Sequence, residues 1–181
     1  MLKGNTQIGT NCTIGSNSII EDSIIGDSTV IDNSHCYHST VASGCEIGPF
    51  VRIRPGCVVK DKCRVGNFVE LKNSNVDSET KISHLSYIGD SDVGSDVNIG
   101  CGCATVNFNG VEKNRTLIGN GAFIGCGTNL VAPVALGTDS YIAAGSTIVE
   151  DVPDHALAIA RTRQVVKADW VKKKKPYKRM R

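Results

Sequence analysis

Residues Ile118 to Val152 read IGNGAFIGCGTNLVAPVALGTDSYIAAGSTIVEDV, and an aliphatic side chain returns there every six positions: Ile118, Ile124, Leu130, Leu136, Ile142 and Ile148. Four residues after each stands something small or β-branched: Ala122, Thr128, Val134, Ser140, Ser146 and Val152. In most copies Gly or Ala follows the aliphatic directly, as at Gly119, Gly125, Gly137 and Ala143. The same frame runs through Val41, Ile47, Ile53, Val59, Val65 and Leu71, and through Leu2, Ile8, Ile14 and Ile20. Between runs it slips by one residue, from Ile20 to Ile25 and from Ile88 to Val93.

A period of six is neither the 3.6 of an amphipathic helix nor the alternation of a simple strand. It fits a short strand and a sharp turn, repeated so that every aliphatic points to one axis. Three such units close a triangular coil of about 18 residues, and coils stacked at strand spacing, about 4.8 Å, share backbone hydrogen bonds along the axis. The frame therefore predicts an all-β parallel β-helix over residues 1–155, roughly nine coils. A short C-terminal extension with a basic tail follows over 156–181.

This architecture accounts for an odd composition. The 181 residues include 40% hydrophobic side chains but only 5% aromatics, with 19 glycines and 8 cysteines. A narrow prism has no volume for aromatic rings, so small residues fill it. Cys12, Cys45, Cys57, Cys63 and Cys103 fall in the small interior slot, where a free thiol behaves as a small hydrophobe. No CxxC pair is present, which argues against a zinc site. Eight thiols without a secretory leader point to a reducing, cytoplasmic setting.

Net charge is divided unevenly. Residues 1–160 carry ten Lys/Arg against seventeen Asp/Glu, and residues 161–181 carry ten against one. The closing WVKKKKPYKRMR reads as a solvated tail, because no basic face with interleaved aromatics precedes it; nucleic acid is not an expected partner. No apolar run approaches the ~18 residues of a membrane span.

One segment interrupts the frame: VNFNGVEKNRT, Val106 to Thr116, polar and holding Asn-Gly at 109–110. It predicts a loop thrown out from the solenoid, the usual place for function on a rigid scaffold. The other non-repetitive residues gather in RIRPG, GNFVELKNS and SHLSYIGDSDVGSDVNIGCG. A purely structural solenoid would show one residue type repeated along a face, and none is found.

At these residues the chain resembles a known family. The pieces GPFVRIRPG, VGNFVELKNS, SHLSYIGD, VNIGCG, VNFNG, LVAPV, IAAGSTI and DVPDHALAIARTRQ, from Gly48 to Gln164, are similar to one domain of a bacterial bifunctional enzyme. That domain is the acetyltransferase half of N-acetylglucosamine-1-phosphate uridyltransferase/glucosamine-1-phosphate N-acetyltransferase. Residues 1–47 resemble its earlier coils. The resemblance implies a left-handed coil of hexapeptide repeats and a homotrimer. It also implies acetyl transfer from acetyl-CoA to the amine of glucosamine 1-phosphate, a step toward UDP-N-acetylglucosamine and cell-wall precursors. The family's Gly-rich nucleotide loop has no counterpart here, so uridyl transfer is expected to be missing.

The resemblance also implies roles. His84, in SHLSY, matches the catalytic base, and an imidazole with an ordinary pKa of about 6.5 suits a proton acceptor at neutral pH. Arg54, Lys72, Tyr87 and Asn98 correspond to the acceptor pocket, with Lys113 as a further cation within reach of phosphate. Cys101, Asn107, Phe108, Cys126, Ala144 and Arg161 correspond to the acetyl-CoA groove. Two positions depart from the family: Phe108 stands where tyrosine is frequent, and Cys126 where serine is.

Other readings stand beside this one. Cys101 or Cys126 as an acyl carrier would make the transfer two-step. A different amine or alcohol acceptor is a second option, and a non-catalytic scaffold a third. A metalloenzyme needs three converging histidines; His35 and His38 stand at i, i+3 with no evident third ligand, and no metal is expected.

Overall fold

The computed structural model describes residues 1–174; positions 175–181 of the basic tail lie outside the described residues. The chain winds into nine coils of a left-handed parallel β-helix whose three faces are parallel sheets of nine, eight and nine short strands. The first face runs from Leu2–Lys3 to Thr147–Ile148, the second from Gln7–Ile8 to Val134–Leu136, the third from Thr13–Ile14 to Leu157–Ala158. The last strand, Leu157–Ala158, pairs with Tyr141–Ile142, so the sheet continues three residues past the boundary read from the frame. One helix, Trp170–Lys174, follows an exposed arm.

Register explains the slipping frame. Arg52 faces Glu70 and Glu70 faces Tyr87, advances of 18 and 17 residues along one face. Across the coil holding Val106–Thr116, Asn98 faces Phe123, an advance of 25. The surplus residues form the predicted extruded loop, closed by an antiparallel bridge between Phe108 and Lys113.

The interior follows the sequence pattern. The aliphatics at Ile53, Leu71, Ile82, Ile124 and Ile142 are fully buried, and the small slot beside them holds Thr128, Ser140 and Ser146 at 1% exposure or less. Several slot hydroxyls and thiols also bond the backbone, although Ser140 Oγ has no partner among the described residues. Ser74 Oγ donates to Lys72 O (2.8 Å) and accepts from Ser91 N (3.0 Å), while Cys63 Sγ donates to Asp77 O (3.0 Å). Each satisfies backbone groups that the corners leave unpaired. Of the five cysteines placed in the slot, Cys45, Cys57, Cys63 and Cys103 are buried, and Cys12 is half-buried because its coil is the outermost. Cys36, which the frame left unassigned, occupies an aliphatic position between Ile20 and Ile53. Burial pushes its thiol up to about 11.

The corners carry the cost of this winding. Phe50, Phe68 and Leu85 hold left-handed backbone with φ of 62°, 61° and 38°, uncommon for bulky side chains. All three project outward from the corner between the third and first faces, and the Phe50 and Phe68 rings stack with centroids 5.3 Å apart.

Candidate functional site

The third-to-first corner positions the proposed base. Val65, Ile82, Ile99, Ile124 and Ile142 lie in continuous register on the third face. Two residues beyond each, at one equivalent corner position, stand Asn67, His84, Cys101, Cys126 and Ala144. They form a column climbing the prism at one strand spacing, about 4.8 Å per step. His84, Cys101, Cys126 and Ala144 are all exposed, and small side chains above His84 leave the backbone open to an extended ligand. Arg161 closes the upper end, its Cδ within 3.7 Å of where a side chain on Gly145 would begin.

The first-to-second corner gathers the polar groups. Lys72 Nζ donates to Asp90 Oδ2 at 3.0 Å, and Asn73 Nδ2 to Asp90 Oδ1 at 2.6 Å. Asn107, at the root of the loop, donates to the same Asp90 carboxylate and to Tyr87 Oη at 3.4 Å. Burial by itself raises the Asp90 pKa, but the bonds from Asn73, Lys72 and Asn107 outweigh it and hold the group below the usual carboxylate range. Desolvation pulls Lys72 down, and its carboxylate partner more than compensates, so its ammonium is kept. Lys113, carried over by the loop, meets Lys72 and lies in the field of Arg54; these like charges depress its pKa below the ordinary lysine value. Arg54 itself bonds Glu70 at 3.0 Å.

Tyr87 reaches this cluster because Gly89 is a glycine. The phenol folds back along its own strand, Tyr87–Gly89, and its terminal ring atoms occupy the space that a Cβ at Gly89 would take. The loop is clipped at both ends. Asn107 is held by Asp90, and Arg115 forks onto Asp92 at 2.9 and 2.5 Å and donates to Ser91 O at 3.1 Å.

Of the positions expected from sequence, Lys72, Tyr87, Asn107 and Lys113 converge, with Arg54 beside them, while His84, Cys101, Cys126, Ala144 and Arg161 line the neighbouring corner. Phe108 stands on the loop, half exposed. Asn98 is the exception: it lies on the third face between Lys81 and Phe123, around the corner from Lys72 and Tyr87. Asp90 and Gly89 were not singled out from sequence. Both lie in SHLSYIGD, but nothing in a period of six says that one carboxylate will be buried under three donors. His38 lies near Asp22 (3.7 Å) and Glu21, and Lys3 already serves Glu21 (3.7 Å); His35 instead meets Tyr37 Oη at 3.3 Å.

Residues 38–73 and 115–150 match the family described as bacterial transferase hexapeptide (six repeats). The chain is 51% identical over 174 residues to the bifunctional protein GlmU of Clostridium kluyveri, covering 96% of this chain and 38% of that protein. It is 52% identical over 171 residues to the GlmU protein of a Geobacillus species, covering 94% of this chain and 37% of that one. The chain thus spans less than two-fifths of the length of these curated relatives. Among solved structures it is similar in fold to the UDP-N-acetylglucosamine O-acyltransferase of Moraxella catarrhalis, with TM-score 0.55 and 17% identity over 88% of this chain and 66% of that one. Among the described residues no helix is long and apolar enough to cross a membrane. Two stretches of the chain thus match the bacterial transferase hexapeptide repeat, and over nearly its whole length the chain is similar to part of the bifunctional protein GlmU.

Proposed function

We propose that the protein transfers acetyl from acetyl-CoA to the amine of glucosamine 1-phosphate, giving N-acetylglucosamine 1-phosphate and free CoA. The observation that carries this reading is the crowding of Arg54, Lys72 and Lys113 beside Tyr87 and Asn107, one corner away from an exposed histidine. Three cations on a prism body that is otherwise acidic suit a phosphate dianion, and Arg54 offers it a planar fork. Tyr87 and Asn107 offer hydrogen bonds to sugar and thioester oxygens.

The chemistry needs a neutral amine, a polarised carbonyl and attack distance. The amine nitrogen attacks the thioester carbon while His84 accepts the proton it sheds. The resulting oxyanion collapses, the carbon–sulfur bond breaks, and the thiolate leaves as CoA and takes up a proton. Asn107 and backbone amides stabilise the developing oxyanion. The column Cys101, Cys126, Ala144 admits the pantetheine arm, and Arg161 meets a CoA phosphate.

A single prism leaves this site open. Asn98 faces outward from a different face than Lys72 and Tyr87, so a pocket holding all three needs a neighbouring copy. The exposed Phe50, Phe68 and Leu85 corner supplies apolar surface for such a contact. Threefold closure, a homotrimer, follows as part of this proposal. The eight free thiols fit a cytoplasmic protein.

Lys113 tests the acceptor assignment. Replacing it with methionine is expected to raise KM for glucosamine 1-phosphate about tenfold, with KM for acetyl-CoA little changed. In the wild type, acceptor binding should weaken as pH rises through the depressed pKa of Lys113, because the ammonium is lost. Isothermal titration with glucosamine 1-phosphate, competed by inorganic phosphate, reads both effects. An unchanged affinity in Lys113→Met, or phosphate that fails to compete, contradicts the assignment.

A further inference from the structure

We propose that Asp90 is a positioning residue: its buried carboxylate joins the acceptor-side cation Lys72 to the thioester-side carboxamide of Asn107, and so sets the two halves of the pocket against each other. The inference rests on the acetyl-transfer reading above and adds a residue that the resemblance gives no role.

Asp90 is 5% exposed and sits at the first-to-second corner in left-handed backbone with φ 49°. Both carboxylate oxygens are engaged, by three side chains from two places. Lys72 and Asn73 come from the coil below, and Asn107 comes from the root of the loop. Its backbone carbonyl accepts from Thr116 N at 3.2 Å, at the loop's return. One residue therefore holds the entry and exit of the loop and the cation beneath it.

The pairing also favours the ammonium form of Lys72. The charged or titratable groups around it are Asp90, Tyr87, Lys113 and, further out, Arg54; Arg115 lies on the far side of Asp90. Asp90 is the anion bonded to Lys72 in this set; Lys113 and Arg54 are cationic, and Glu70, on the strand of Lys72, is paired with Arg54. Without the carboxylate, Lys72 would lose its ion pair and its pKa would fall. Freed from Asp90, the ammonium would no longer be fixed at its present place, and Asn107 would lose its anchor.

Asp90→Asn is nearly isosteric and removes only the charge. We expect the Lys72 titration, followed by NMR of 13C-labelled lysine side chains, to move down by about one pH unit or more. The alkaline limb of kcat/KM for glucosamine 1-phosphate should move with it, and KM for that acceptor should rise about tenfold. Thr80→Ala serves as control: it removes a buried hydroxyl that bonds Gly94 O and Val97 N, remote from the cluster. It should lower the melting temperature without moving either titration or KM. Asp90→Asn with Lys72 titrating as in the wild type, or with a pH profile and KM no different from Thr80→Ala, overturns the proposal.

Should Asp90→Asn fail to fold, Lys72→Met/Asp90→Asn decides. Removing both charges should restore folding, because the cost came from an uncompensated buried cation. A double variant that fails as the single one does makes Asp90 a structural residue independent of Lys72 and overturns the proposal. If the wild type transfers no acetyl at all, the functional reading falls, and the lysine titration still decides what Asp90 does to Lys72.

Discussion

Replacing His84 by alanine is expected to lower kcat by about 10²–10⁴-fold, with KM for glucosamine 1-phosphate little changed. The asymmetry follows from where the groups lie. In the proposed mechanism the acceptor is bound in the ground state by Lys72, Lys113, Arg54 and Tyr87 at one corner, whereas His84, at the next, would act only as the amine loses its proton. His84 is exposed, so removing it opens no cavity, and the variant should melt and assemble as the wild type does. Single-turnover rates and light scattering on the same preparation separate these effects. Near-wild-type turnover removes His84 from the mechanism. A covalently acetylated Cys101 or Cys126 would move the chemistry one or two steps up the same column.

Replacing Ile82 by alanine should cost about 2–5 kcal/mol, whereas Lys81→Ala, its chain neighbour, should stay within about 0.5 kcal/mol. Ile82 is fully buried between Val65 and Ile99, while Lys81 points to solvent from the same strand. In a chain of this size the loss at Ile82 corresponds to a melting temperature lower by roughly 4–20 °C. The interior of a prism three strands wide has little room to collapse around the missing atoms, because each coil is fixed by backbone bonds to the coils above and below. Equal effects at the two positions would contradict the inward and outward assignment on which every other placement depends.

These two residues also mark how far the sequence could be read. Ile82 is one member of a run that repeats at a fixed period, and period alone places it inside. Cys45, Cys57, Cys63 and Cys103 follow by the same logic, since the slot beside each aliphatic admits only small groups. His84 stands out through the resemblance of SHLSY to a family segment, not through periodicity, and its role as base is part of the proposal. The extruded loop was legible as an interruption, and its ends, held by Asn107 and Arg115, fall inside Val106–Thr116 as expected.

The rest depends on which faces the corners bring together. Asn98 and Tyr87 are eleven positions apart in sequence, but a corner intervenes and they look outward in different directions. Asp90 resembles any other turn aspartate in sequence, such as Asp22 or Asp96, which share its left-handed backbone. Its difference is long-range: it is the one that the loop folds back to cover. Cys36 shows the limit from inside, a thiol at an aliphatic position where the frame slips by one residue.

Release of CoA thiol from acetyl-CoA, measured with and without glucosamine 1-phosphate, tests the central claim most directly. The account predicts release that depends on the sugar phosphate, with N-acetylglucosamine 1-phosphate formed mole for mole and inorganic phosphate acting as a competitor of the acceptor. Thiol release at the same rate without acceptor, or none above the uncatalysed rate with it, would contradict the account.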